Sequence, residues 1–415
     1  MLRPLRNRDF ALLWSGLTVS LLGDGVYVVT VAWQAYELSN TPAALSIVGA
    51  AWTLPTVLLL LPGGVLSDRV DRRLLMVGAD VLRALAIGTI GALSLSGTLE
   101  LWMLLVLVAV YGVGDALFLP AATAITPLLV PADELVEANA LEYLVRPFAL
   151  RFAGPALGGL LVAAAGPGAG FAIDAASFAV SALFVLAIRP RPGPKPAPNT
   201  TRSAVAEIRE GLSYVRGEPW LWATLAAAGL SIFAFFGPLQ VLLPFHLKND
   251  LGLGPGTFGA VLAAGGVGSI VAALLVGQRG LPQRVITWMY LAWGIATLEV
   301  ALFAVADIPW QFMAIAVVGG AFDTLGNIAW GTLIRSRVPS GLLGRVSSVD
   351  WQISIALTPL SFALAGPLAE AIGTETTMLA AGLLGSVAVV AFLFVPGVRD
   401  PERAAVKVSS VPDRG

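Results

Sequence analysis

The sequence contains no cysteine, which excludes disulfide bonds, thiol catalysis and cysteine-ligated metal sites. It contains one histidine, His246, which is too few for a histidine-based metal centre. No Gly-x-x-x-x-Gly-Lys-Ser/Thr loop is present, so nucleotide hydrolysis is not the predicted source of energy. The sequence therefore predicts neither a metal site nor a bound cofactor.

Charged residues are also scarce. They make up 12% of the 415 residues, whereas hydrophobic residues make up 57%, and soluble domains carry about 25% charged residues. The formal net charge is −1 and no basic patch interleaved with aromatic residues occurs, so the sequence predicts no nucleic-acid partner. The composition instead indicates a protein whose surface faces lipid.

Twelve apolar segments, numbered here 1 to 12, account for most of the chain. Most reach the ~20 residues that a helix needs to cross the hydrocarbon layer, and backbone groups in lipid must pair internally, so the segments are helices. The sequence predicts an all-α integral membrane protein with segments at 10–36, 43–66, 74–95, 101–124, 138–164, 169–188, 220–246, 256–278, 284–305, 310–333, 346–369 and 375–395.

The basic residues predict how the chain is oriented. Of the 25 Lys and Arg residues, 21 lie in the termini and in the loops on one side, three lie inside segments, and Lys248 alone lies on the other side. Positive loops stay in the cytoplasm, so both termini are expected to be cytoplasmic. The arginine-rich, Ala-, Gly- and Pro-rich composition is typical of a high-GC bacterium and favours its inner (plasma) membrane.

One long polar stretch, 189–218, divides the chain almost in half. Its first part, RPRPGPKPAPNT, is expected to be an extended linker, and apolar residues at 205, 208, 212 and 215 predict an amphipathic helix on the cytoplasmic surface. We therefore predict an N-terminal six-helix bundle at 1–188, the linker at 189–218 and a C-terminal six-helix bundle at 219–395. The remaining 396–415 is expected to be a disordered cytoplasmic tail.

An internal repeat supports this division. A shift of 208 residues places four residues of the first half on matching residues of the second: Trp14 on Trp222, Asp115 on Asp323, Pro131 on Pro339 and Glu142 on Asp350. Two six-helix halves related by an axis along the membrane normal are a transporter architecture.

The loop between segments 2 and 3 carries a distinctive motif, Gly64-Val-Leu-Ser-Asp68-Arg69-Val-Asp-Arg72-Arg73. It resembles the signature loop of the major facilitator superfamily, except that Asp71 stands where glycine is usual. The resemblance implies a cytoplasmic gate that latches the two halves together when the protein opens outward. The alternative is a plain positive-inside loop.

Segment 5 carries a second motif, formed by Gly154, Pro155, Gly158 and Gly159. It resembles the C-terminal part of the superfamily's antiporter motif, whose earlier glycine positions are leucines here. The resemblance implies a kinked, tightly packed helix that limits leak in an exporter. The alternative is ordinary close packing through a small-xxx-small face.

Further stretches in both halves, including Arg8-Asp-Phe10, Pro120-Ala121 and Arg337-Val-Pro339, resemble the enterobactin-exporter and macrolide-efflux group of this superfamily. The resemblance implies a monomeric, proton-driven exporter of a bulky organic molecule such as a drug, antibiotic or siderophore, working by alternating access. Because the segment 4 arginine signature of many proton-linked exporters is absent, coupling residues are not carried over. A lysophospholipid or other solute facilitator of the same fold, a membrane enzyme and a receptor are the alternatives.

Charged residues inside the segments are candidates for proton coupling or substrate binding, since a charge near mid-bilayer costs several kcal/mol. We expect Asp24 to pair with Arg151, with Asp115 and Asp174 as second choices, and Glu142 to pair with Arg146. Asp115 and Asp323 are expected at the central cavity. Asp80 and Arg83 are expected to satisfy each other, Glu299 is expected to be peripheral, and Asp350 is expected to lie near basic residues.

The central cavity is expected to be apolar and aromatic with a few hydrogen-bonding groups. The candidates are Tyr27, Trp33, Phe236, Gln240, Asn327, Trp330, Trp351 and Gln352.

Overall fold

A computed structural model describes residues 2–189 and 204–402, and within these ranges the chain is helical with no strand. Among these described residues, twelve helices are long and apolar enough to cross a membrane. We label them α1 to α12: Arg8–Leu38, Pro42–Arg69, Arg72–Leu95, Leu101–Leu129, Glu137–Ala165, Pro167–Leu186, Pro219–Asp250, Pro255–Arg279, Val285–Phe303, Pro309–Arg337, Leu342–Ile372 and Thr374–Phe394. The prediction of an all-α protein with twelve membrane helices is confirmed.

The helices form two halves with matching packing. In the N half (α1 to α6), α6 packs on α1 and α3, and α2 packs on α4; in the C half (α7 to α12), α12 packs on α7 and α9, and α8 packs on α10. The halves meet through two equivalent helix pairs, α2 with α11 and α5 with α8. The predicted pair of pseudo-symmetric six-helix bundles is therefore confirmed.

The two ends of the molecule differ in how the halves meet. We call the end that carries Arg69, Arg279 and Arg335 the basic end and the other the opposite end. At the opposite end one apolar core is shared by both halves, and it includes Tyr36, Val48, Leu104, Leu243, Phe312 and Phe362. At the basic end the N half and the C half have separate cores, around Phe118 and Trp293.

Hydrogen bonds reinforce the contact at the opposite end. The Tyr36 hydroxyl donates to the Val241 carbonyl at 2.6 Å, and the ammonium group of Lys248 donates to the Tyr36 carbonyl at 2.9 Å. The Asn40 amide donates to the Asn249 side chain at 2.7 Å. The halves are thus joined at the opposite end and parted at the basic end.

Two membrane helices contain π-helical turns, which are Pro147–Ala153 in α5 and both Pro238–Leu242 and His246–Asp250 in α7. Proline has no backbone N–H and disturbs the regular hydrogen-bond ladder, and π-turns are frequent at functional sites. The first turn contains Arg151, so the local break in α5 sets the direction of this side chain.

A linker helix spans Ala204–Gly217, and Glu210 pairs with Arg345 at the start of α11 (2.8 Å); that this helix is amphipathic and lies on the cytoplasmic surface stays a prediction. The prediction of a disordered tail from 396 onward is wrong for residues 396–402. There Val398 is fully buried and the Glu402 carboxylate accepts hydrogen bonds from the backbone N–H and hydroxyl of Thr287. Residues 190–203 and 403–415 lie outside the described residues.

Candidate functional site

A buried ionic cluster lies in the middle of the N half. The Arg83 guanidinium in α3 pairs with Asp80 on the same helix and with Asp115 of α4 at 3.1 Å. The indole N–H of Trp52 in α2 donates to the second oxygen of Asp115 at 2.9 Å. The expected Asp80–Arg83 pair is present, but Arg83 also pairs with Asp115. The cluster therefore joins α2, α3 and α4.

The residues around Arg83 explain how the chain holds a charge at this depth. The guanidinium carbon lies 4.1 Å from the ring centre of Phe118 and 4.4 Å from that of Phe178, both cation–π distances. A side chain at Gly114 would place its Cβ 2.5 Å from the Arg83 stem, so this position requires glycine. Two carboxylates and two aromatic faces thus compensate for lost hydration.

Asp24 lies on α1, on the neighbouring side of this cluster. Its carboxylate accepts a hydrogen bond from the Tyr111 hydroxyl at 3.0 Å. The adjacent Gly25 allows α5 to approach closely, since a Cβ there would lie 2.7 Å from the Cα of Gly154. Asp24 therefore faces the N-half cluster, and the predicted pairing of Asp24 with Arg151 is wrong.

Arg151 instead reaches across to the other half. Its guanidinium pairs with Asp323 of α10 at 2.8 Å, and the Asn327 amide donates to the second Asp323 oxygen at 2.9 Å. The side chains of Arg151 and Asp323 are 50% and 27% exposed. An ion pair accessible to solvent thus connects the halves at mid-depth.

Behind it, Glu299 is 7% exposed and packs on Gly319 of α10, so the expectation that Glu299 is peripheral is also wrong.

Two further expected ionic contacts are replaced by hydrogen bonds to neutral groups. The Glu142 carboxylate accepts from the Thr126 hydroxyl at 2.8 Å rather than pairing with Arg146. The Asp350 carboxylate accepts from the Trp330 indole at 3.1 Å rather than lying in a basic cluster. Both acids lie toward the basic end, where helices of the same half supply the donor.

The predicted cavity residues fall into two groups. Tyr27 and Gln240 line a small cavity between the halves together with Trp52 and Phe362. Asn327, Trp351 and Gln352 are exposed, Trp351 by 64%, and Phe236 is half-buried.

The other two predicted residues are packed elsewhere. Trp33 is buried beneath the Lys248 ammonium (5.6 Å to the ring centre) near the opposite end. Trp330 is buried between Trp220 and Trp293 in the C-half core. The cavity assignment is wrong for Trp33 and Trp330.

The signature loop makes its contacts within the N half. Asp68 is 74% exposed and pairs with Arg72 at 3.1 Å, while Arg72 and Arg73 donate to the carbonyls of Ala124 and Ile188. A Cβ on Gly64 would meet no atom of the described residues within 4 Å, so this glycine does not mediate helix contact; Gly63 does, against Ala116. The gate role of Gly64, Asp68, Arg69, Arg72 and Arg73 stays a prediction.

The glycines of the α5 motif pack α5 against two helices. Cβ atoms at Gly154 and Gly158 would lie 2.6 Å and 3.0 Å from the backbone of α1, at Gly25 and Val26. At Gly159 a Cβ would lie 3.0 Å from Gly259 of α8, across the interface between the halves. The motif, with Pro155 buried beside it, therefore holds the closed opposite end together.

Sequence reasoning missed Trp52, Tyr111 and Phe362 as members of this region, and it named Asp174 only as a second-choice partner of Arg151. Asp174 is fully buried beside α1. Trp52 and Tyr111 could have been identified from the sequence by their depth, since both lie near the middle of their membrane helices.

Comparison with known proteins shows similarity over nearly the whole chain. A family described as transmembrane secretion effector matches residues 1–412. The multidrug efflux pump Tap of Mycolicibacterium fortuitum is 29% identical over 425 residues, covering 98% of this chain and all of that protein. Macrolide efflux protein A of Streptococcus pyogenes is 24% identical over 379 residues, covering 90% and 93% of the two chains.

Solved structures agree in fold. A bacterial homologue of the lysosomal transporter Spinster superposes with a TM-score of 0.72 at 14% identity, covering 98% of each chain. A bacterial homologue of the iron transporter ferroportin superposes with a TM-score of 0.67 at 19% identity, covering 93% of this chain and 98% of that one. At these identities the likeness concerns the fold.

Proposed function

We propose that this chain, which belongs to the transmembrane secretion effector family of the major facilitator superfamily, exports a bulky organic molecule in exchange for protons. The export of drug-like molecules is supported by similarity over nearly the full length of relatives named as multidrug and macrolide efflux pumps. The exchange for protons is supported by the carboxylates buried in the N half.

The proposed orientation puts both termini in the cytoplasm of a bacterium. It follows from the basic residues at one end, because positive segments remain on the cytoplasmic side. With this orientation the basic end is cytoplasmic, and the parted halves present Asp323, Asn327 and Trp351 to a substrate arriving from the cytoplasm or the inner leaflet. The closed opposite end then separates the site from the outside.

Alternating access would exchange the roles of the two ends. The contacts of Tyr36, Asn40 and Gly159 at the opposite end would open, and the signature loop around Asp68 would meet the other half at the basic end. Arg151 and Asp323 lie between these two regions. Their ion pair is exposed enough for a substrate to compete with it, so we assign it to the substrate-binding step.

The proposal of proton coupling rests on the number of acidic groups relative to basic groups in the N half. Arg83 is shared by Asp80 and Asp115, while Asp24 has only the Tyr111 hydroxyl as its hydrogen-bond donor among the described residues. A carboxylate without an ion-pair partner at this depth is costly, and taking up a proton removes the cost. Asp24 can thus load and release a proton as the helices around it move.

A reconstituted system tests the proposal. Purified protein in proteoliposomes is given radiolabelled erythromycin as probe and an imposed pH difference, with protein-free liposomes and Asp24→Asn as controls. We expect erythromycin movement against its gradient when protons flow the other way, and loss of this movement in Asp24→Asn. Erythromycin movement that is insensitive to the pH difference would identify a facilitator and overturn the exchange mechanism.

A further inference from the structure

We propose that Asp174 in α6, together with Asp24, forms the proton-carrying pair of the transport cycle. This inference rests on the proposed proton exchange and names a residue for it that the sequence offered only as a second-choice partner of Arg151. Three observations support the pair: the burial of Asp174, the lack of a hydrogen-bond partner among the described residues for Asp174 Oδ2 and for the Tyr27 hydroxyl, and the excess of carboxylates over guanidinium groups around them.

Asp174 has no access to solvent and few hydrogen-bond partners. Its side chain is fully buried, and among the described residues its Oδ2 atom has no hydrogen-bond partner. Its Oδ1 atom lies 3.5 Å from the Ser177 hydroxyl, which donates at the shorter distance of 2.7 Å to the Asp174 backbone carbonyl. The carboxyl group therefore has a buried oxygen to which no described residue donates.

The carboxyl group of Asp174 lies against α1 beside Asp24. A Cβ at Gly23, the residue before Asp24, would lie 2.5 Å from Asp174 Oδ1 and would overlap Ser177. Only glycine at position 23 leaves room for the carboxyl group between α1 and α6. The sequence Gly23-Asp24-Gly25 is thus explained by two close approaches, of α6 on one side and of α5 on the other.

Tyr27 supplies the second buried atom without a partner. It lies one helical turn beyond Asp24, its ring is 4.9 Å from that of Tyr111 and 6.1 Å from that of Phe171, and Phe171 is one turn from Asp174. Its hydroxyl has no hydrogen-bond partner among the described residues. The Tyr27 hydroxyl and Asp174 Oδ2 are therefore two buried polar atoms of the same region to which no described residue is hydrogen-bonded.

The charges around Asp174 do not balance. The helices packed near it bring Asp24 from α1, Asp80 and Arg83 from α3, and Asp115 from α4, and α5 adds Arg146, which acts on Asp24 without forming an ion pair with it, so four carboxylates face two guanidinium groups within the described part of this region. The tyrosine hydroxyls of Tyr27 and Tyr111 are the neutral titratable groups of the same region. Arg83 contacts Asp80 and Asp115, which leaves Asp24 and Asp174 without an ion-pair partner among these residues.

Two neighbouring carboxylates that have no ion-pair partner of their own do not both remain ionised in an apolar interior. Such a pair holds a proton, and the proton belongs to the pair rather than to one oxygen. Since α1 also contacts α5 and, through Tyr36, α7, it lies where the halves must move. Movement of α1 relative to α6 would separate Asp24 from Asp174 and change how tightly the proton is held.

Infrared spectroscopy of the reconstituted protein tests this pair without any transport measurement. Near neutral pH, the band of protonated carboxylic acids should lose intensity in Asp174→Asn, which preserves size and an acceptor for Ser177. It should be unchanged in Asp323→Asn, a matched control that removes an acid paired with Arg151. Equal bands in wild type and Asp174→Asn would overturn the proposal.

Labelling of the wild-type protein gives a second test that requires no variant to fold. Dicyclohexylcarbodiimide is apolar and modifies protonated carboxyl groups in membranes, so mass spectrometry should find the adduct on Asp174 or shared between Asp174 and Asp24. An adduct on Asp24 with none on Asp174 would show that Asp174 does not carry the proton.

Transport distinguishes failure of this inference from failure of the proposed function. In proteoliposomes with an internal pH dye and erythromycin, wild type should move protons, while Asp174→Asn should move erythromycin down its gradient without moving protons. If wild type moves none, the proposed exchange itself fails. If wild type and Asp174→Asn move protons equally, the exchange stands and Asp174 is not its acid.

Discussion

Asp115 and Asp323 occupy matching positions of the two halves, 208 residues apart, yet their surroundings differ. Asp115 is 13% exposed and binds Arg83 and Trp52 of its own half, whereas Asp323 is 27% exposed and binds Arg151 of the other half. The N half therefore neutralises its central acid internally. The C half relies on a partner from the other half, so the same repeat position makes contacts within one half and a contact between the halves in the other.

The largest expected effect comes from removing the guanidinium of the N-half cluster. Arg83→Gln leaves Asp80 and Asp115 buried without compensation, which should destabilise the protein by about 3–5 kcal/mol. Arg151→Gln, the matched change at the pair between the halves, should cost about 0–1 kcal/mol because that pair is exposed. Thermal unfolding in detergent, followed by tryptophan fluorescence, measures both, and equal losses would contradict the difference between the two sites.

A smaller loss of stability is expected when a larger side chain is placed at the close contact between α1 and α5. Gly154→Val places side-chain atoms against the backbone of α1 and should cost about 1–3 kcal/mol. Gly64→Val, in the signature loop where a Cβ would meet no described atom within 4 Å, should leave stability unchanged. The same unfolding assay checks the pair, and a stable Gly154→Val protein would show that α1 and α5 are not held closely.

Reversing the charges of the ion pair between the halves should alter transport with little change in stability. Arg151→Asp and Asp323→Arg each place like charges together at mid-depth and should each reduce erythromycin export. The double variant restores opposite charges and should recover part of the export, as a double-mutant cycle in resistance assays would show. If the double variant exports no better than the single ones, the contact between Arg151 and Asp323 is not used in the cycle.

The smallest expected effect is that of salt. Ions screen solvent-exposed pairs more than buried ones, so high salt should weaken the contact between Arg151 and Asp323 and leave Arg83 and Asp115 unaffected. Chemical modification of Arg151 by phenylglyoxal should therefore become faster as salt rises, while Arg83 stays unmodified. Modification of both arginines at similar rates would contradict the difference in burial.

Much of the fold follows from sequence patterns, while the pairing of charges does not. Hydropathy and length define the twelve helices, because a membrane span needs a minimum run of apolar residues. The partner of Arg151 is harder to predict, since depth alone does not select it. Arg151 and Asp323 each lie fourteen residues from the basic end of their helices and Asp24 lies sixteen from its own, so at 1.5 Å per residue all three lie at nearly equal depth.

What decides between these partners is rotation of each helix about its axis and the order in which helices pack. The π-turn at Pro147–Ala153 changes the direction of Arg151 relative to the rest of α5, and glycine contacts at Gly23 and Gly25 set how α1 faces α5 and α6. These effects depend on side chains from several helices at once. The sequence repeat matched Asp115 with Asp323 but carried no information about their partners.

The most direct test of alternating access between the two halves is to lock the end that is closed in this structure. The chain has no cysteine, so Asn40→Cys with Asn249→Cys introduces two thiols on opposite halves where the side chains are 2.7 Å apart. A short bifunctional thiol reagent should join them and abolish erythromycin export, and a cleavable version should restore export on reduction. Full export by the cross-linked protein would contradict alternating access.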